Sequence, residues 1–295
     1  MYTAVAEIPI KEQMSDFVDA LQGPDDPEEE YVKKQFGLLM YRLQKLPARS
    51  RARLQSDFTQ RMIDSTLSVG TPKGTLSFVL LGKTSAGRAM TVLTKQPATI
   101  AWIDSFEPSS VFWDIGASVG VFSLYAALAT DTRVVAFEPA AVNYYLLAAN
   151  CETNKLQDRI DCLLVGVGRQ RSIARLEVSQ FRPARSFSFR GKRDEPHESR
   201  QAAVVLSIDE LVEDYGAPCP NYIKIDAPGA SEGIIAGAAR TFRRPDVRQI
   251  HLEVRDTSKG AQRILEMLKQ SGFAAMSKDT HGGSADITFT RVGVR

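Results

Sequence analysis

Cysteine and histidine are scarce in this chain, with three of each among its 295 residues. The cysteines are Cys151, Cys162 and Cys219. Their odd number and wide spacing argue against a disulfide framework or a zinc knuckle. The histidines are scattered, and no two of them have the spacing of metal ligands. We therefore expect no metal site.

Long apolar runs and a strong excess of one charge are missing too. No segment approaches the ~20 apolar residues that span a bilayer. The first residues, MYTAVAEIPIKEQMSDF, lack the basic and then apolar segments of a secretory signal. The formal net charge of +2 is too small to indicate nucleic acid by itself. The sequence therefore predicts a cytoplasmic globular protein with no transmembrane segment and no nucleic-acid partner.

The pattern divides the chain into a helical extension, residues 1–70, and a larger domain, residues 71–295. In the extension, an acidic patch precedes the apolar-periodic YVKKQFGLLMYRLQKL, and five basic residues follow without an acid. We expect amphipathic helices with solvated outer faces, and the alternative is a homodimer contact. Next, TLSFVLLG and AMTVLTK are typical of short strands around a turn, KTSAG, as in a small hairpin.

From Val111 onward, strand-like and helix-like segments alternate. VFWDI, RVVAF, IDCLLVGV, NYIKID and VRQIHLEV are typical of strands, and SEGIIAGAARTF and AQRILEMLKQSG are typical of helices. SIDELVEDYG predicts a helix with a capping box formed by Ser207 and Glu210, and Gly272 is placed to end the last helix. This alternation predicts an α/β fold, a Rossmann-like, mainly parallel sheet with helices on both faces.

The exit of the first strand of this sheet reads DIGASVG and suits a ligand. Gly116 allows a sharp turn close to a ligand, and Gly120 allows the next helix to pack closely. Asp114 places a carboxylate at the strand end. Ser118 stands where a dinucleotide fingerprint has its middle glycine, which disfavours pyrophosphate and a nicotinamide-dependent oxidoreductase. The loop suits a ligand with a cationic sulfonium and an amino-acid tail.

The second strand ends in Glu138-Pro139. Glu138 lies 24 residues after Asp114. An acid at about this distance accepts ribose hydroxyls in nucleotide-binding sheets. We therefore expect Glu138 to contact a ribose.

Three segments, DIGASVGVFSLYAA, VVAFEPAAVNYYLLAANCETN and NYIKIDAPGA, resemble successive blocks of the FkbM-like methyltransferases. The resemblance runs from about Val111 to Val254. It implies a class I methyltransferase fold with a seven-stranded sheet, S-adenosyl-L-methionine as cofactor, and O-methylation of a sugar or glycan-type small molecule.

The resemblance also implies roles for individual residues. The methionine end of the cofactor would lie at Asp114, Gly116, Ser118 and Gly120, its ribose at Glu138 and Pro139, and its adenosine side near Asn143, Val165 and Gly166. Asp226 would face the reaction centre as the base, and Lys224 would orient the acceptor or balance charge.

This chain departs from the family after its fourth strand. The family reads K-I-D-V-E-G-A-E, whereas this chain has Pro228 and Ser231 in place of the two glutamates. This change motivates an alternative function, a catalytically weak protein that binds the cofactor or a partner. The basic segment Phe181–Arg200, with the serines Ser186 and Ser188, predicts a loop that covers the acceptor and favours an anionic one.

Overall fold

The computed structural model describes residues 27–94, 96–178, 199–255, 259–281 and 284–293. The contacts within the chain divide it into two units between Ser65 and Thr66. No helix in the described ranges is both long and apolar enough to cross a membrane.

In its described residues, the first unit contains two helices, α1 (Pro27–Gln44) and α2 (Ala48–Ile63). Three glutamates occupy the first turn of α1, where they interact favourably with the helix dipole. The prediction of helix up to residue 70 was wrong beyond Ile63, because a strand starts at Thr66 and pairs with the following strand. The boundary between the two units thus falls five residues before the one expected from the sequence.

The second unit opens with a hairpin of β1 (Thr66–Thr71) and β2 (Gly74–Val79), followed by α3 (Lys83–Met90) and α4 (Pro97–Asp104). The predicted strand in TLSFVLLG is confirmed, but the predicted strand AMTVLTK and its turn are wrong. Helix α3 occupies KTSAGRAM, because Ser85 and Ala89 lie four residues apart and form its buried face. The Ser85 hydroxyl also accepts a bond from the Leu81 amide at 3.0 Å, which stabilises the start of the helix.

The main sheet has seven strands, as predicted. Its elements in chain order are β3 (Val111–Ile115), α5 (Val121–Ala129), β4 (Arg133–Phe137), α6 (Ala141–Thr153), β5 (Ile160–Leu163), then β9 (Tyr222–Ile225), α8 (Ser231–Ala236), a 3₁₀ turn (Thr241–Arg243), β10 (Gln249–Arg255), α9 (Lys259–Gln270), β11 (Phe273–His281) and β12 (Ser284–Arg291). The spatial order is β11-β12-β10-β9-β3-β4-β5. Strands β10, β9, β3, β4 and β5 are parallel, and β12 is antiparallel to both of its neighbours. The chain order reverses at β3, and ligands bind at such a point in open α/β sheets.

A smaller sheet lies between β5 and β9 in the sequence. It consists of β6 (Gly166–Val167), β7 (Ser172–Val178) and β8 (Ser199–Leu206) in the order β6-β8-β7, and α7 (Ile208–Glu213) follows it. IDCLLVGV is therefore not one strand: it breaks after Leu163, and Gly166 pairs with Val205 of β8. The predicted capping box on α7 is confirmed, as is the helix end at Gly272, whose φ is +87°. The predicted helix SEGIIAGAARTF is shorter than expected: it ends at Ala236 with Gly237 as its C-cap, and Gly237 lies so close to the Gly168 carbonyl that a side chain would not fit there.

Both faces of the main sheet are covered. Trp113 and Ile223 belong to one buried cluster, whereas Phe112 and Tyr222 belong to the other. Neighbouring residues of a strand point to opposite faces, so each face has its own core. The fold is a three-layer α/β structure, and the ends of β3, β4 and β9 open at one edge of the sheet.

Candidate functional site

The turn after β3 passes close to the ends of β4 and β9. The Gly116 and Ala117 amides donate to the Phe137 carbonyl of β4 at 2.9 and 3.0 Å. Gly116 has a φ of +85°, and a Cβ there would lie 2.1 Å from the Asp226 carbonyl oxygen. Gly120 has a φ of +87° and is the N-cap residue of α5. It packs so closely on the Leu147 side chain that a Cβ there would clash. The two predicted glycines thus hold the turn in place by their small size and left-handed backbone.

Glu138 is held by two backbone amides at the end of β4. Its Oε2 accepts from the Ser118 amide and its Oε1 from the Ala140 amide, both at 2.8 Å. The Asn143 side chain of α6 also bonds to this carboxylate. Burial raises the pKa of Glu138 to about 7, and the three hydrogen bonds and the nearby charge of Arg88 oppose that rise. The carboxylate is therefore fixed in position and close to half ionised near neutral pH.

Two buried polar atoms beside this turn have no hydrogen-bond partner in the described part of the chain. Asp114 Oδ2 accepts from the Ser123 hydroxyl at 2.6 Å, whereas its Oδ1 has no hydrogen bond and lies 3.9 Å from Lys224 Nζ. Burial raises the pKa of Asp114, and the Lys224 ammonium opposes this. The Ser118 hydroxyl is the second such atom, on a residue with a φ of +54°. Unsatisfied buried polar groups are rare in proteins and call for an explanation at each position.

Lys224 and Asp226 form a pair at the exit of β9. Lys224 Nζ lies 3.4 Å from Asp226 Oδ2 and 4.8 Å from the centre of the Phe122 ring. The Lys224 side chain is 4% exposed, whereas that of Asp226 is 34% exposed. Lys224 is thus a buried cation held between two carboxylates, and Asp226 is the member of the group that reaches solvent.

His251 lies on β10 beside Lys224 in the sheet register. Its two ring nitrogens bond to the Thr99 and Thr288 hydroxyls at 3.0 and 2.9 Å, and its ring stacks on Trp102. Burial and the Lys224 charge lower the pKa of His251 to about 3. It is a neutral core residue, in agreement with its position inside a strand.

A pocket opens at the ends of β3, β4 and β9. Seven predicted residues line it, namely Gly116, Ser118, Glu138, Pro139, Asn143, Val165 and Asp226. Four predicted residues do not line it, namely Asp114, Gly120, Gly166 and Lys224. Eight further residues line it that were not predicted as site residues, namely Arg88, Ile115, Phe137, Val167, Leu176, Ala227, Pro228 and Ala230.

Among the pocket residues that were not predicted, Arg88 carries a charge. It belongs to α3, in the segment expected to be a turn and a strand, and its charge acts on Glu138. Pro228, which replaces a family glutamate, also lies on the pocket wall. The predicted loop with Ser186 and Ser188 falls outside the described residues, as does His197. Within the described ranges, no group of three or more histidine, cysteine or acidic residues is arranged for a metal ion.

The chain is similar to two curated proteins. It is 24% identical to the 31-O-demethyl-FK506 methyltransferase FkbM of Streptomyces tacrolimicus, over 58% of this chain and 75% of that protein. It is 23% identical to the hexuronic acid methyltransferase AglP of Haloferax volcanii, over 57% of this chain and 66% of that protein. Among solved structures, the methyltransferase FkbM from Methylobacillus flagellatus matches with 17% identity and a TM-score of 0.44, over 72% of this chain and 56% of that one.

The methyltransferase FkbM domain matches residues 114–274, which is more than half of the chain. The match begins at Asp114 and includes the turn after β3, Glu138 and the Lys224–Asp226 pair. The chain therefore belongs to the FkbM family of methyltransferases.

Proposed function

We propose that the protein binds S-adenosyl-L-methionine at the ends of β3, β4 and β9 and transfers its methyl group to a hydroxyl oxygen of a sugar-like small molecule. The observation that carries this proposal is the buried Glu138 carboxylate, fixed in the pocket by the Ser118 and Ala140 amides. In the proposed arrangement, the unit from Thr66 to Arg295 forms the methyltransferase domain, and the helical unit that ends at Ser65 is an extension of it.

The residues of the site fit this cofactor. The Glu138 carboxylate has about four acceptor positions, and the Ser118 amide, the Ala140 amide and the Asn143 side chain use three of them, so a ribose hydroxyl can donate to the fourth. The apolar wall of Val165, Val167 and Leu176 suits the face of an adenine ring. The Ser118 hydroxyl, which lines the pocket and has no hydrogen bond among the described residues, suits the polar groups of the methionine end.

The Ser118 backbone argues against a dinucleotide in the same place. Its amide is bound to Glu138, so it is not available to a pyrophosphate. Its Cβ also occupies the position at which a dinucleotide fingerprint requires glycine.

In the proposed reaction, the bound cofactor supplies an electrophilic methyl group on its sulfonium. The residues of the pocket hold the acceptor oxygen in line with that group, and such positioning is a large part of the rate. Asp226 takes the proton of the acceptor hydroxyl, because it is the partly exposed carboxylate of the pocket. Lys224 fixes the orientation of Asp226 through the 3.4 Å contact.

We propose further that the acceptor is anionic. One curated relative is named for hexuronic acid, a sugar with a carboxylate. The turn after β9 lines the pocket with Ala227, Pro228 and Ala230, none of which is charged, and Arg88 adds a cation to the pocket. The replacement of two family glutamates by Pro228 and Ser231 removes negative charge from this turn.

Two experiments test the proposed function. Calorimetry tests the cofactor, because S-adenosylhomocysteine should bind and NAD should not. Methyl transfer to a panel of neutral and acidic sugars tests the acceptor.

Cofactor affinity should rise with pH between 6 and 8. The ionised form of Glu138 accepts a ribose hydroxyl, and its pKa of about 7 means that this form is depleted as the pH falls. If the ionised form alone binds, affinity at pH 6 is about tenfold weaker than at pH 8. Titration calorimetry with S-adenosylhomocysteine measures this change. In Glu138→Gln the affinity should be lower and independent of pH, whereas the exposed control Glu152→Gln should match the wild type. An unchanged affinity in Glu138→Gln would show that the ribose lies elsewhere.

Arg88→Met should move the midpoint of that pH dependence upward. The positive charge of Arg88 favours the ionised form of Glu138, so its loss raises the pKa of Glu138 further. At pH 7 the cofactor then binds more weakly, and at pH 9 the two proteins bind it almost equally. Arg88→Lys should behave as the wild type because it retains the charge. A midpoint that does not move in Arg88→Met would contradict the electrostatic coupling.

The second candidate function is binding without methyl transfer. The observation that favours it is Pro228 on the pocket wall, where family members have a carboxylate. Under this function the protein binds S-adenosylhomocysteine with the pH dependence described above, but no sugar of any charge accepts a methyl group. Turnover with any acceptor eliminates it.

A further inference from the structure

The turn between β4 and α6 carries the Ala140 amide that bonds to Glu138 Oε1. Ala140 is the N-cap residue of α6 and has an extended backbone, with a φ of −84° and a ψ of +118°. Alanine is a poor N-cap, because its side chain has no acceptor for the amides of the first turn, which have no partner within the helix. The start of α6 therefore depends on acceptors from elsewhere in the fold.

Gln201 of β8 supplies such an acceptor. Its Oε1 accepts from the Ala141 amide, the first of the helix, at 3.0 Å. Its Nε2 donates to the Pro139 carbonyl at 2.7 Å. The two halves of one planar side-chain amide thus bind the residues on either side of Ala140, and two directional bonds to one rigid group fix the backbone between them. We call this pair of bonds the Gln201 clamp.

Apolar packing lies beside the Gln201 clamp. Gln201 is directly opposite Leu176 of β7 in the antiparallel register, so the two side chains share a face of the small sheet. Ala203, two residues after Gln201 on β8, points to the same face. Leu176, Ala203 and Ala140 form one buried cluster, and Leu176 also lines the pocket. The small sheet thus meets the turn after β4 through an apolar contact and two hydrogen bonds.

The clamped turn sets the geometry around the Glu138 carboxylate. The Ala140 carbonyl accepts from the Tyr144 amide at 2.8 Å, which holds Ala140 on its helix side. The Gln201 clamp holds it on its strand side, through Pro139. Between these two anchors, the Ala140 amide is aimed at Glu138 Oε1, and a hydrogen bond to a carboxylate favours the ionised form. Because such a bond weakens when its angle or length changes, the clamp acts on the charge state of Glu138.

We propose that Gln201 is a positioning residue of the site: it clamps Pro139 and Ala141 so that the Ala140 amide stays aligned with the Glu138 carboxylate. The small sheet thereby determines the shape of the pocket on the side of Glu138. The consequence for the cofactor rests on the proposed function, in which Glu138 contacts the ribose.

The pKa of Glu138 in the protein without cofactor tests the clamp. Gln201→Met keeps the length of the side chain but removes both hydrogen bonds, and Gln201→Ala removes them together with the bulk. Both variants should raise the pKa of Glu138 by about 0.5–1 above the wild-type value of about 7, because the Ala140 amide loses its alignment with the ionised carboxylate. A pH titration of the glutamate carboxyl carbons by NMR measures this pKa, and the resonance that is missing from Glu138→Gln assigns it.

The other charges around Glu138 stay the same in this experiment. The other charged residues that line the pocket are Arg88 of α3 and Asp226 after β9, and each Gln201 variant retains both. Gln270→Met is the matched control, because Gln270 is exposed on α9 and bonds to Glu266, and it should leave the pKa of Glu138 unchanged. A loss of stability alone does not shift a pKa within the folded protein, and urea denaturation shows that each variant is folded under the conditions of the titration.

Titration calorimetry with S-adenosylhomocysteine then separates the clamp from the proposed function. If both hold, the pH midpoint of cofactor affinity rises together with the pKa of Glu138 in both Gln201 variants. A raised pKa with an unchanged midpoint would retain the clamp and show that Glu138 does not contact the cofactor. A pKa that stays at the wild-type value in either folded variant would overturn the clamp, whatever the cofactor affinity.

Discussion

Asp226→Asn should lower the rate of methyl transfer by about 10²–10⁴-fold, the usual contribution of a general base. The amide keeps the size of the side chain but cannot take the proton of the acceptor hydroxyl. Cofactor affinity should change little, because the proposed ribose and adenine contacts come from Glu138, Val165 and Val167. Transfer of a radiolabelled methyl group to the best acceptor of the sugar panel measures the rate, and calorimetry with S-adenosylhomocysteine measures the affinity.

The position of Lys224 makes it possible to separate a chemical effect of Asp226→Asn from a structural one. Lys224 lies 3.4 Å from Asp226 and 3.9 Å from Asp114, so Asp226→Asn leaves the ammonium with the Asp114 carboxylate as a partner. The variant should therefore fold normally, and a loss of activity would be chemical rather than structural. Asp158→Asn, an exposed acid in the turn before β5, is the matched control and should keep full activity. If Asp226→Asn retains more than a third of the wild-type rate, the proton is taken by another group or by water.

The sequence predicted those parts of the site that depend on strand ends and on backbone conformation. A buried apolar run followed by Asp114 and Gly116 places a turn at the edge of a sheet, and Glu138 follows at the end of the next strand. The structure brings Gly116, Ser118, Glu138 and Asp226 to one pocket because parallel strands end at the same edge. The five parallel strands of the main sheet, β3, β4, β5, β9 and β10, were predictable because each of them carries an apolar pattern.

Other parts were not predictable because tertiary contacts decided them. Residues 83–90 contain small and polar residues that suit a turn, yet they form α3, since Ser85 and Ala89 find a buried surface there. This is why Arg88 was missed as a pocket residue. IDCLLVGV has the uniform apolar pattern of a single strand, and its break after Leu163 depends on the pairing of Gly166 with a strand 39 residues later. Local pattern carries no information about such a partner.

Gly116→Ala should destabilise the fold by roughly 2–5 kcal/mol and abolish cofactor binding. The left-handed backbone at a φ of +85° costs an alanine about 1–2 kcal/mol. The added methyl group would also lie 2.1 Å from the Asp226 carbonyl oxygen, which is backbone and cannot rotate away. Relief requires β3 and β9 to separate at their ends, and overpacking of this kind costs about 1–3 kcal/mol more. Urea denaturation measures the loss of stability, and calorimetry measures the loss of binding.

The separation of the β3 and β9 ends in Gly116→Ala should also impair methyl transfer. The Asp226 amide donates to the Ile115 carbonyl at 2.9 Å, so a shift of the Gly116 turn moves the backbone of the proposed base as well. Any folded fraction of Gly116→Ala should consequently be less active than its residual cofactor occupancy allows. Gly87→Ala is the matched control, because nothing lies within 4 Å of its added methyl group and its backbone is helical. That substitution should stabilise the protein by about 0.5–1 kcal/mol through helix propensity and leave binding intact. If Gly116→Ala were as stable and as active as Gly87→Ala, the ends of β3 and β9 would not be the rigid floor of the pocket, and the proposed place of the cofactor would be wrong.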